Sequence, residues 1–326
     1  MSRERVVIFD LLRIIGIALV VFTHIAFTVG WGEWTNEFWI GNLFYWGVGS
    51  IGVLLFLFAS GAVLELTQSE VSNARSYLEF VYRRLVRLYP AVWLSVAFAI
   101  VLWLNSLMLL VTTGFSAPIN MMILNAGFSA PIDMTVLLWS LSGFSAFVGL
   151  WGGPFNVVVW CIGLFVVLYL VFPLLHYGFK HKPYLTLGVL FIISLLSTYF
   201  INVWQSGLPD LPFGKNVARW MPLCNIFYFG LGIFMARKGW YPKWTQSKGV
   251  MPWLGELSFY VFLFHFPLES LSKISILLFA VSTIFTAYLF MELDKKIQVQ
   301  LKLENVKHTL SEAHKWVNAY LSKTTN

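Results

Sequence analysis

Apolar windows of about twenty residues recur along this chain, with little of the two-residue alternation that marks a half-buried strand. They predict membrane spans at roughly 7–29, 40–64, 89–112, 155–177, 184–203, 218–236, 251–269 and 272–292. Each is long enough to cross about 30 Å of hydrocarbon. Lipid requires closed backbone hydrogen bonding, and long unbroken apolar runs suit helices rather than a barrel. The segment 113–153 breaks the rhythm. Gly114-Phe115-Ser116-Ala117-Pro118-Ile119 recurs thirteen residues later as Gly127-Phe128-Ser129-Ala130-Pro131-Ile132, and this Gly/Pro punctuation argues against one long helix. Two readings stand for it, an extracytoplasmic re-entrant lid or two extra short spans. The fold class is therefore an all-α polytopic transmembrane bundle of eight to ten helices.

After Glu292 the pattern changes. Leu293, Ile297, Leu301, Val306, Leu310, Val317 and Leu321 recur at near-helical spacing among six lysines. A cytoplasmic amphipathic helix over 293–326 is expected, following a transmembrane domain over 1–292. Packing on the bundle is its plainest use; contact with membrane lipids or a homo-oligomer partner is the alternative.

Charge fixes the expected orientation. Of the residues, 58% are hydrophobic and 11% charged, against about 25% charged in soluble domains. The net charge of +7 comes from 22 Lys+Arg over 15 Asp+Glu. Its basic residues sit in short inter-span loops, which fits positive-inside topology rather than nucleic-acid binding. Arg3 and Arg5 precede the first span; Arg75, Arg83, Arg84 and Arg87 follow the second; Lys180 and Lys182 follow the fourth. Arg237, Lys238, Lys243 and Lys248 follow the sixth, and Lys295 and Lys296 the eighth. Every second loop is basic, which predicts both termini in the cytoplasm of a multi-pass plasma-membrane protein. Arg13 interrupts the first apolar run and no small-x-small cleavage site follows, so that run reads as a retained span. Cys161 and Cys224 lie far apart in apolar segments and give neither a disulfide framework nor metal spacing; no metal is expected.

A charged side chain inside a span costs about 2.5–3.5 kcal/mol on the insertion scale, so each one needs a reason. The first span holds Asp10, Arg13 and His24. Arg13 and His24 are three helical turns apart, on one face, with ~16 Å of rise between them. Snorkelling of Arg13 and a helix-contact role for His24 make up the plainer account. At the entrance to the third span, Arg84 and Arg87 stand one turn apart beside Arg83, so their guanidinium groups can face one anion. Topology alone would also explain this cluster. With Arg13 at similar depth, however, it suits the pyrophosphate and ribose phosphate of coenzyme A. In the seventh span Ser258 and His265 share a face, with Glu256 and Tyr260 elsewhere on the helix. His265 is a second histidine at mid-membrane depth in a chain with six.

These residues resemble the acyltransferase 3 family, the membrane-bound sugar O-acyltransferases. Asp10-x-x-Arg13 with Arg13-x10-His24 resembles its first-helix signature, and Ile51-Gly52 through Ser60-Gly61 its second helix. Arg84-x-x-Arg87-Leu88-Tyr89-Pro90 resembles its Arg-rich third-helix entry, and Trp160-Cys161-Ile162-Gly163 through Phe172-Pro173 its central Trp helix. Gly255-x-x-Ser258-Phe259 through His265-Phe266-Pro267 resembles its closing motif. Two features depart from the pattern: Leu12 and Ile14 flank Arg13 where many members carry glycines, and no acidic residue follows Trp160. With no appended extracytoplasmic domain after the bundle, the membrane part is expected to act alone or with a separate partner.

The resemblance implies an acyl-CoA-dependent O-acyltransferase, with acetyl-CoA the default donor and the acceptor a cell-surface carbohydrate, a lipid-linked sugar or a small metabolite. Arg13, Arg83, Arg84 and Arg87 would hold the donor. His24 would act as general base or acyl carrier, with His265 and Asp10 as further catalytic candidates. Trp160, Ser258, Tyr260 and Glu256 are candidates for contacting or orienting substrate. A secondary transporter for a small anionic or sugar substrate is the main rival, although the chain lacks the long internal repeat expected of one. A non-enzymatic receptor is the third reading.

Overall fold

The computed structural model describes residues 6–31, 38–40, 44–68, 71, 73–113, 134–148, 155–206, 217, 221–242 and 250–300. Among these, nine α-helices form one bundle: α1 (Val7–Thr28), α2 (Val48–Thr67), α3 (Ala74–Thr113), α4 (Met134–Ser142), α5 (Trp160–His181), α6 (Pro183–Ser206), α7 (Pro222–Lys238), α8 (Val250–Leu268) and α9 (Ile276–Gln300). A small antiparallel hairpin, β1 (Phe38–Ile40) with β2 (Phe44–Trp46), precedes α2, and a 3-10 turn at Glu269–Lys273 joins α8 to α9. Six helices, α1, α2, α3, α5, α6 and α9, are long and apolar enough to cross a membrane. The 17-residue α7 and the more polar α8, which carries Glu256 and His265, lie outside that set.

The outer surface is apolar. Phe191, Ile192 and Phe200 of α6 and Val281, Phe285 and Leu289 of α9 face outward, an arrangement that suits lipid and would be costly in water. Inside, Phe172, Phe179, Phe229, Phe264 and Leu57 form the packed centre. Helices meet closely where side chains are absent. A Cβ on Gly61 of α2 would overlap the Phe229 carbonyl oxygen of α7, and one on Gly232 would overlap that of Phe58. Small residues that bring backbones together in this way are the usual glue of membrane helices.

Contacts fix the helix directions. α1 and α8 are parallel, with Asp10 against Gly255 at one end and Thr28 against Glu269 at the other. α2 and α7 run the opposite way, and Glu65 pairs with Arg237 near their C-terminal ends. The start of α3 lies by the end of α2, where Arg84 Nη2 is 3.5 Å from Gln68 Oε1. Arg13, Arg84, Lys180, Arg237 and Lys295 therefore share one end of the bundle, as the alternation of basic segments predicts.

The structure moves several boundaries. α2 begins at Val48 rather than near residue 40, because the aromatic, β-favouring residues 38–40 and 44–46 form the paired strands and Gly47 starts the helix from extended backbone. α3 begins at Ala74 rather than residue 89. Asn73 Oδ1 accepts from Ser76 N at 2.9 Å, which caps the helix, and Arg75 reaches Glu79 one turn on at 3.2 Å. Pro90, expected near the start of a helix, lies buried inside α3, where Ala91, Val92 and Val96 anchor the segment in the core. The Arg-rich stretch is thus helix and not loop. α4 spans nine residues, about 13 Å, too short to cross a membrane. Its C-terminal carbonyls at Leu141 and Ser142 accept from Trp93 and Tyr89 of α3. The tandem repeat lies outside the described residues. α9 runs unbroken past residue 292 to Gln300, and 301–326 are likewise outside the described residues.

Candidate active site

The site is a ladder between α1 and α8. Because the two helices are parallel, residues at helical spacing on one meet residues at the same spacing on the other. At the arginine end, Asp10 is buried and its Oδ1 lies 3.4 Å from Arg13 Nη1. A Cβ on Gly255 would stand 2.7 Å from Asp10 Oδ1 and 2.8 Å from its Cβ. Glycine at 255 is thus what lets the carboxylate sit against α8 and brace Arg13. Asp10 stands fourteen residues, about 21 Å along the helix, from His24. It belongs with the arginines and not with the histidines.

Arg84 is part-buried, stacks over Phe80 at 5.5 Å, and lies within electrostatic reach of Arg13, Arg83 and Arg87. Its Nε is buried with no hydrogen-bond partner among the described residues. Arg83 and Arg87 are exposed on the same helix. Asp10 braces Arg13, and four arginines converge at this end of the bundle. Arginines crowded together this way fit an anion of two or more charges.

The middle rung is a pair of histidines from opposite ends of the sequence. His24 Nδ1 lies 2.7 Å from His265 Nε2, and the rings meet edge to edge, within 17° of parallel and with centroids 5.0 Å apart. His265 is fully buried. Its Nδ1 sits 2.8 Å from the Phe262 carbonyl and 3.1 Å from that of Val261. A carbonyl oxygen only accepts, so His265 Nδ1 must carry the hydrogen and its Nε2 must be the acceptor. In the neutral pair His24 Nδ1–H therefore donates to His265, and the lone pair of His24 falls on Nε2. One backbone hydrogen bond on α8 thereby selects the tautomer of a side chain on α1.

The local backbone of α8 is held for this purpose. Pro267 has no N–H, which leaves the Leu263 carbonyl without its helical donor. Asn156, fully buried just before α5, supplies one: its Nδ2 is 2.8 Å from Leu263 O and 3.1 Å from Ser95 Oγ of α3. Phe98 of α3 packs on Phe264 at 5.6 Å, so the histidine level lies about 21 Å along α3 from Arg84.

The other candidates fall elsewhere. Ser258 is buried and donates to Gly255 O of its own helix at 2.9 Å, beside the Asp10 contact. Tyr260 faces α9 and donates to Asp294, which also accepts from Gln298 at 2.6 Å; Arg87 lies within electrostatic reach of both Tyr260 and Asp294. Glu256 pairs with Lys295 at 3.5 Å near the arginine end. Trp160 begins α5 and packs against the cluster of Ala146 and Val217, away from the arginines.

Sequence reasoning passed over three groups. Asn156 is one. A second is the cluster of Glu65, His176 and Arg237, which joins α2, α5 and α7 at the arginine end, with His176 Nδ1 2.8 Å from Glu65. The third is Glu269, whose carboxylate accepts from Thr28. Its signal was available: an acidic residue one helical turn beyond His265, as Thr28 is one turn beyond His24.

A family model of an acyltransferase domain, acyltransferase 3, matches residues 6–252. The chain belongs to the acyltransferase 3 family. Membership, together with six helices of spanning length and apolarity, makes it a multi-pass membrane acyltransferase. No protein of curated function and no solved structure matches the chain. The acyltransferase 3 match covers Asp10, Arg13, His24, the α3 arginines and Trp160, and stops inside α8 at residue 252. His265 joins the site through its bond to His24.

Proposed function

We propose that this acyltransferase 3 protein moves an acyl group, acetyl by default, from cytosolic acyl-CoA to a hydroxyl of a carbohydrate or lipid-linked sugar at the opposite face of the plasma membrane. The observation that carries the reading is the histidine pair, with a lone pair placed on His24 Nε2, on the same helix as the Asp10-braced Arg13. Arg13, Arg84 and Arg87, with Arg83 at the rim, hold the donor phosphates, and the buried Arg84 Nε supplies a donor hydrogen to them. The pantetheine arm then runs along α1 towards His24.

In the step itself, the acceptor O–H gives its proton to His24 Nε2 as its oxygen bonds to the thioester carbonyl carbon. The C–S bond breaks, and the thiolate of coenzyme A leaves with the proton from His24 Nε2, which returns the imidazole to its neutral form. The products are an ester and the free thiol, so atoms and charge balance. Positive charge appearing on His24 strengthens its Nδ1–H bond to His265, which favours the transition state over the ground state. Transfer of the acyl group first to His24 is the other route through the same atoms.

The test is labelled acetyl-CoA with purified protein in proteoliposomes and a panel of glycans. Transfer should occur with the native chain and vanish in His24→Ala at equal expression. Retained turnover in that variant would overturn the assignment.

A further inference from the structure

The ladder has a third rung. Thr28 Oγ1 of α1 donates to Glu269 Oε1 in the 3-10 turn after α8, one helical turn beyond the two histidines on each helix. The surrounding turn is unusually polar and unusually closed. Glu269 is 6% exposed, Ser270 0%, Ser272 4% and Thr283, on the helix α9 that packs against this turn, 2%. Glu269 Oε2, Ser270 Oγ, Ser272 Oγ and Thr283 Oγ1 have no hydrogen-bond partner among the described residues. Buried polar groups are nearly always hydrogen-bonded. Four such atoms on one short turn and the helix packed against it, beside a histidine pair, are therefore not explained by the stability of the fold. Lys273, within electrostatic reach of Glu269, brings the turn to the surface together with Ile274.

We infer that Glu269, Ser270, Ser272 and Thr283 form a subsite that binds the acceptor as a polyol, by hydrogen bonds to hydroxyls adjacent to the one that reacts. The chemistry of the set is specific. A carboxylate oxygen accepts from hydroxyl donors, and three hydroxyls that can both donate and accept match an array of sugar hydroxyls. A simple alcohol would use only part of it. The turn is at the end of the ladder opposite the arginines, so donor and acceptor enter from opposite ends and meet at His24. Thr28 keeps Oε1 occupied and so aims Oε2. The inference rests on the acyl-transfer reading only for naming the bound molecule as acceptor.

Two measurements separate the readings. The first is binding of methyl glucoside to the purified full chain without acyl-CoA, followed by thermal shift and calorimetry, with cyclohexanol as the single-hydroxyl control. The native chain should bind methyl glucoside at least tenfold more tightly than cyclohexanol, and Glu269→Gln and Ser270→Ala should each lose most of that difference. Equal affinity for the two probes, or glucoside binding unchanged in both variants, overturns the subsite. Ser270→Ala and Thr28→Val are mild changes that guard against a folding failure of Glu269→Gln. The second measurement is release of free thiol from acetyl-CoA with methyl glucoside as acceptor. The variants should raise the KM for the glycoside about tenfold and leave the KM for acetyl-CoA within twofold. A proportional rise in both constants marks the turn as merely structural and overturns the subsite. Glycoside binding without any thiol release would sink the acyl-transfer reading and leave the polyol site standing.

Discussion

Replacing His265 with phenylalanine tests the central geometric claim. Phenylalanine fills the same buried space beside Phe262, whose ring is 6.2 Å from that of His265, but offers no acceptor to His24. What is lost is the 2.7 Å bond that places the hydrogen of His24 on Nδ1. A net hydrogen bond of this kind is worth about 0.5–1.5 kcal/mol. At the upper end that is about a tenfold preference for the reactive tautomer, since each 1.36 kcal/mol is one factor of ten. Loss of tautomer selection alone should then lower kcat by roughly tenfold or less. If His265 also steadies the charge that develops on His24, the loss should extend towards the 10²–10⁴ range of general acid–base catalysis. The assay is single-turnover transfer from labelled acetyl-CoA at saturating donor, with expression and thermal stability matched. His265→Gln retains an acceptor oxygen and should recover part of the loss. An unchanged kcat in His265→Phe would refute the claim that α8 sets the protonation of His24.

Four further outcomes follow from the packing. Gly255→Ala places a methyl within 2.8 Å of Asp10, and the overpacking should cost about 1–3 kcal/mol and raise the KM for acyl-CoA by displacing Arg13; an unchanged melting temperature and KM would contradict it. Gly232→Ala forces the α2 and α7 backbones apart and should lower the melting temperature without a selective effect on either substrate, as thermal unfolding in detergent would show. Arg84→Ala should raise the KM for acyl-CoA about tenfold to a hundredfold, the worth of a charge-assisted hydrogen bond, whereas an unaltered KM would count against a role in donor binding. Asn156→Val strands the Leu263 carbonyl and should cost about 1–3 kcal/mol of stability and lower kcat with it, because that turn carries His265; Pro267→Ala, which restores a helical donor to Leu263, should offset the stability loss.

What the sequence made legible was local. Arg13 and His24 could be placed on one face of one helix because that relation depends only on the helical repeat. The alternation of basic segments likewise reported helix direction without any tertiary knowledge. The pairing of His24 with His265 was not readable, since the two are 241 positions apart and nothing in either span names its partner. The same holds for Glu65, His176 and Arg237, polar side chains on three helices that no sequence spacing brings together. Asp10 shares a span with His24, which made it a catalytic candidate; its contact with Gly255 and its bond to Arg13 place it with the arginines. The predicted span begins at 89 because the apolar window starts there, whereas α3 continues back through the Arg-rich turns to Ala74. The Asn73–Ser76 cap, a subtler pattern fifteen residues earlier, decides the boundary. Glu269 closes the apolar window 251–269, and spacing alone gives a residue at that edge no partner on the first span.

The three rungs between α1 and α8 constrain how this protein can open. Mechanisms that swing one half of a bundle past the other would shear Asp10 from Gly255, His24 from His265 and Thr28 from Glu269 in a single stroke. A stator built this way favours ports at its two ends, worked by short segments, over a moving frame. On the acyl-transfer reading, donor and acceptor would then reach a fixed axis from its two ends without the barrier opening all the way through.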